Sequence, residues 1–138
     1  MKKFLFLLII VPLLSFNSIE KENNIVGKWK GVNLKNKIGY ITFDEDGYAS
    51  FEVDGKLMGG KNFDVKGKKA SMTYSINFDT NPFEIDIKLS SPESTIQKSM
   101  LLIAQFKAKD TLILASNFNE IRPTEFNKDN SITLNRVK

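Results

Sequence analysis

The chain of 138 residues has no cysteine and no histidine. These absences remove Cys–His and Ser–His–Asp catalysis, along with the usual ligands of zinc, copper and haem. Carboxylates are the only metal ligands left, and no metal or cofactor is expected. Disulfides are excluded, as is lipid attachment through an N-terminal cysteine. Arginine is nearly as scarce, since only Arg122 and Arg136 interrupt a basic set of 20 that is otherwise lysine. Arginine-based phosphate recognition is therefore poorly supplied. The 16 acidic residues punctuate the lysines throughout, whereas a nucleic-acid binder would concentrate positive charge on one face. No nucleic-acid partner is expected. Helical periodicity is missing beyond the N-terminus, save for one turn that "PESTIQKSM" (92–100) could hold, with Ser91 as cap and Pro92 at the first helical position.

What the chain does have begins with "MKKFLFLLIIVPLLSFNS". Lys2 and Lys3 form a charged start, and Phe4 to Phe16 an apolar run of thirteen residues. That length matches the roughly 7–15 residues of a signal-peptide core and falls short of the roughly 20 of a membrane span. Residues 1–18 are expected to be a cleaved export signal in helical form, cut after Asn17 or Ser18. The product would be a soluble periplasmic or secreted protein, not a lipoprotein and without a stable membrane anchor. Loss of Lys2 and Lys3 leaves 18 basic against 16 acidic residues, a net charge of +2. One domain over 24–138 fits the remaining length.

Within that domain the period is two almost everywhere, which is the strand signature. The sequence predicts strands around Trp29 and over 38–43, 48–53, 62–65, 70–77, 83–89, 100–107, 111–116 and 131–137. "DEDG" (44–47) reads as a hairpin turn, "DG" (54–55) as the end of a strand and "KGKK" as a further turn. An inward set follows, including Ile41, Phe43, Ala49, Phe51, Val53, Phe63, Met72, Tyr74, Phe83, Ile85, Ile87, Leu112 and Leu114. The inward face of 100–107 is ambiguous, because apolar residues occupy both parities. The expected fold class is all-β, a small up-and-down antiparallel barrel of about 8–9 strands whose closure removes exposed edges.

In "IVGKWKG" (25–31), Gly27, Trp29 and Gly31 share one parity, and Lys28 and Lys30 the other. The tryptophan therefore points inward, and the glycines are expected to make room for it. The stretch resembles the Gly-x-Trp start of lipocalins and lipocalin-like proteins. The resemblance implies that Trp29 closes one end of the barrel and that an arginine from a late strand lies across it. Arg136 shares its parity with Ile132 and Leu134 and is the candidate. "NPFEIDIKL", "AKDTLILAS", "IRPTEF" and the closing "SITLNRVK" are similar to a series in exported bacterial lipocalin-like proteins without a settled activity. Lys109 stands where that series has a glycine, so this hairpin is expected to differ in length or geometry.

Two acidic groupings read as structural. Aligning Gly47 with the glycine of a calcium loop puts Thr42 and Val53 where Asp and Glu are required, so the match fails. Glu84 and Asp86, about 6.5–7 Å apart on one strand face, would face outward rather than into a glycosidase cleft. "RPTEF" reads as a recognition loop or, preferably, as a bend. In the bend Pro123 sets the turn, Phe126 anchors it in the core and Arg122 pairs with Glu120 or Glu125. The leading functional expectation is a non-catalytic exported barrel binding a small hydrophobic ligand against Phe51, Met72, Tyr74, Ile85 and Leu114. The competing expectation is a filled barrel that binds another protein through its surface or loops. Trp29 itself reads as a plug for the barrel end, with a ligand contact as the alternative.

Overall fold

The computed structural model describes residues 24–32, 36–95, 97–117 and 119–138, so the signal segment 1–18 lies outside the described residues. Among the described residues ten antiparallel strands follow one another: β1 Gly27–Val32, β2 Ile38–Phe43, β3 Ala49–Val53, β4 Lys56–Gly59, β5 Phe63–Val65, β6 Lys68–Asn77, β7 Phe83–Ser90, β8 Gln97–Ala108, β9 Thr111–Ser116 and β10 Ser131–Arg136. The fold is all-β, and no helix occurs among the described residues.

Turn chemistry explains most of the connections. Val53 pairs with Lys56, leaving Asp54 and Gly55 at φ 54° and 76°. Val65 pairs with Lys68, leaving Lys66 and Gly67 at φ 51° and 80°. Two positive φ values in a row are what a two-residue turn needs to match the twist of its flanking strands. Asp54–Gly55 thus ends β3 as expected and also turns the chain into β4, a strand the sequence did not show. The strand count is ten rather than eight or nine because "KLMG" lacks alternation and so gave no period to read. Asp44 organises the β2–β3 turn, its Oδ1 accepting from the N–H groups of Asp46 (3.0 Å) and Tyr48 (2.8 Å).

The one helical turn that 92–100 could hold does not occur among the described residues. Ser90 pairs with Gln97, so β8 begins early and residues 91–95 belong to the connection that leads into it. There Ser91 Oγ accepts from Glu93 N–H at 3.3 Å. Lys109 and Asp110 form the β8–β9 turn between paired Ala108 and Thr111, with a register shift between Phe106 and Ala108.

The strand order β4-β3-β2-β1-β10-β9-β8-β7-β6-β5 joins first and last strands and leaves β4 and β5 at the two edges. The sheet nearly closes where the start of β3 meets β6. Tyr48 bridges Thr73, Gly60 N–H donates to Ala49 O (2.7 Å), Met72 N–H to Gly60 O (2.9 Å) and Tyr74 N–H to Gly47 O (2.9 Å). Gly59 permits this seam: it sits at φ 112°, and a Cβ there would lie 2.6 Å from Ala49 O.

Inside, Trp29, Phe43, Ile85 and Leu112 are the largest fully buried side chains. Leu102 and Ala104 join the core with Phe106 packed against it, which sets the inward face of β8. Ile103 and Ala115 are buried on the opposite face. Lys28, Glu52, Thr73, Glu84, Asp86 and Lys88 alternate with the core residues on the outside. Charge outside and hydrocarbon inside is the reverse of a lipid-facing barrel. Among the described residues no helix is long and apolar enough to cross a membrane.

Candidate functional site: an apolar mouth opposite a closed end

Strand register divides the barrel into two ends. At one lie the pairs Trp29–Arg136, Gly27–Phe43, Phe83–Ala104 and Ala108–Thr111. At the other lie Gly39–Val53, Met72–Leu89, Ile87–Met100 and Leu102–Ser116.

The first end is shut. Trp29 has no exposed surface, and its indole N–H donates to Ile25 O at 2.8 Å. The Arg136 guanidinium carbon lies 4.2 Å from the indole centroid. Its N–H groups donate to Val26 O (2.7 Å), Asn24 O (2.6 Å) and Asp110 Oδ1 (3.0 Å). One arginine therefore ties the chain entering β1, the β8–β9 turn and the indole together. The glycines do not make room for the indole as expected. A Cβ on Gly27, at φ 138°, would meet Arg136 Nη1 at 2.9 Å, and one on Gly31 would meet Leu134 Cδ2 at 2.5 Å. They make room for the last strand. Asp110, which holds Arg136, entered the sequence reading only as part of "AKDTLILAS" and was given no partner there.

The second end is open. A hollow of about 310 Å³ is walled by Phe51, Met72, Ile87, Leu89 and Met100, with Lys98, Ser99, Ser116, Asn117 and Glu120 around it. An adjoining hollow of about 160 Å³ shares Phe51 and includes Leu114, Ile132 and Lys37. Of the five interior residues singled out in the sequence, Phe51, Met72 and Leu114 line these hollows. Ile85 lines neither, being fully buried in the core. Tyr74 lines neither as well: its ring meets Phe43 edge-on at 4.9 Å, and its hydroxyl donates to Asp44 O at 2.6 Å. Burial, and secondarily the nearby Asp44 charge, raise its phenol pKa above the ordinary value. Met100 was missed because the inward parity of β8 could not be chosen from its sequence, and Lys98 because that strand was expected to begin only at residue 100.

The β9–β10 connection straps the outside of this end. Arg122 does not pair with Glu120 or Glu125. Its Nη1 donates to Leu102 O (2.9 Å), Nη2 to Asp86 Oδ1 (2.5 Å), and Nε lies 3.6 Å from Glu84 Oε2. Alternation on β7 puts both carboxylates on one outer face, where the guanidinium spans them. Glu120, at φ 55°, instead accepts from Ser99 N–H at 3.2 Å. Pro123 is buried, while Phe126 is half-buried and outside the core that was expected to hold it. Among the described residues no three metal-ligating side chains come together. Comparison with protein-family models, with curated proteins and with solved structures found no match.

Proposed function

We propose that this is a non-catalytic, exported, lipocalin-like barrel that holds a small hydrophobic molecule in the mouth opposite Trp29. The observation that carries the reading is the open apolar hollow of about 310 Å³, set at one end of a barrel whose other end is shut. A cavity walled by hydrocarbon with a few polar groups at its edge is the usual form of a small-molecule site. The fully buried indole under Arg136 supports the plug role for Trp29, with the pair closing one end so that a ligand enters only from the other. Native mass spectrometry of protein isolated from its own host tests the proposal. A retained lipid-like adduct is expected, and its repeated absence would count against the pocket. Export is tested on the same sample by N-terminal sequencing, which should begin between Asn17 and Lys21.

The reading as a protein-interaction module has one observation in its favour. On the edge strand β4, Leu57 is 70% exposed and Met58 54%. A stoichiometric protein partner that is lost on changing both residues to serine would move the assignment to the surface.

A further inference from the structure

Resting on the pocket reading above, the geometry points to one class of occupant: a single-chain amphiphile whose anionic head meets Lys98 while its tail fills the hollow. A cavity of about 150 Å³ accepts one benzene ring, so by proportion this hollow takes on the order of ten to twelve carbons. Its walls are hydrocarbon, and its polar groups belong to the solvent end of the barrel, on β8, on the end of β9 and on the strap that follows. A ligand with polar atoms at both ends would leave one set unpaired against Phe51 and Met72, which is costly.

The sign of the head follows from the lysine. Lys98 stands opposite Leu89, on the parity of Met100 and Leu102, and rises from the cavity wall itself. It has no hydrogen-bond or ion-pair partner among the described residues. The other charged groups at the mouth are engaged. Glu120 accepts from Ser99 N–H, and Lys37 pairs with Asp54 at 2.9 Å. A carboxylate or phosphate arriving at Lys98 displaces no existing ion pair, whereas an ammonium head would have to share Glu120. The lysine stem can also lie along the apolar wall while its ammonium stays at the water boundary.

Calorimetric titration of the purified chain with decanoate, decyl phosphate, decanol and decylamine, all with equal tails, tests this assignment. Both anions should bind several-fold more tightly than decanol, with decylamine weakest, and the tighter anion names the headgroup chemistry. Lys98→Met keeps the apolar stem. It should weaken decanoate by roughly three- to tenfold, the range expected for one charge-assisted contact at a half-exposed site, and leave decanol unchanged. Equal binding of all four probes, decylamine binding tightest, or an undiminished anion preference in Lys98→Met would overturn the head-group assignment and leave the pocket standing. Failure of all four probes to bind would overturn both.

Discussion

The two ends of this barrel are built from the same strands and differ in what fills them. At the closed end an indole with no exposed surface lies beneath a guanidinium that donates to three separate partners. At the mouth, Met100 is 39% exposed, and Phe51 is only half-buried where it lines the hollow. Stability should therefore be concentrated at Trp29, while the residues free to accept a guest sit where removing a side chain costs least. A barrel that keeps a pocket needs this asymmetry, because every cavity forfeits packing that must be recovered elsewhere.

The largest expected effect is at the plug. Trp29→Ala should cost about 3–5 kcal/mol in denaturant melts, since a fully packed aromatic leaves a cavity that cannot collapse around its neighbours. A loss below about 1 kcal/mol, as at a lightly packed site, would erase the contrast between the ends. Arg136→Ala should come next, at about 2 kcal/mol, through lost stacking and the stranding of two carbonyls and Asp110. The double variant should lose less than the sum of the two, because the side chains touch.

That asymmetry was only half legible from sequence. Period-two alternation identifies the strands and most core positions, and the parity of Gly27, Trp29 and Gly31 puts the indole inside, since these are local properties of an extended chain. Which residue Arg122 or Arg136 grips is not local. Glu84 and Asp86 are far from Arg122 in sequence and become its partners only when β7 lies beside β8. The mouth was hidden for a related reason. Phe51, Met72 and Leu114 reach it from three separate strands, but Ile85, also apolar and inward-facing, lies deeper in the core. Depth along a barrel depends on register, and register between distant strands has no signature in a single sequence.

Arg122→Ala sharpens the comparison from the outside. The strap carries Asn117 and Glu120, which line the hollow, and it is pinned by the guanidinium to β7 and β8. Losing the pin should cost about 1–2 kcal/mol, discounted for the partial exposure of all three side chains. Loosening the cavity wall should also broaden ligand selectivity, read as a narrower gap between decanoate and longer chains. Arg122→Lys should not rescue it, since a point charge cannot span both carboxylates and a carbonyl. At the mouth itself, Met100→Trp should change stability by less than about 1 kcal/mol and abolish the retained adduct by filling the hollow. A large stability loss there would mean that the mouth is packed like the plug.

The smallest effect belongs between the two ends, at the seam. Tyr74 packs on Phe43 and donates its hydroxyl to Asp44 O, beside the point where β3 meets β6. Its phenol pKa is raised by burial and by the Asp44 charge, so the folded chain favours the protonated phenol more than the unfolded chain does. The sign follows from linkage. Below the ordinary tyrosine pKa of about 10 both states carry the proton and the contribution is fully present. As pH rises above that value, the unfolded chain loses its proton first and stability falls until the folded phenol ionises too. Denaturant melts should thus show a decline above about pH 10 that is shallower in Tyr74→Phe. If the variant declines as steeply as the parent, other groups cause the loss and the hydroxyl does not fasten the seam. A variant with little change at neutral pH but a flattened alkaline limb would locate the seam's sensitivity at Tyr74, apart from both the plug and the mouth.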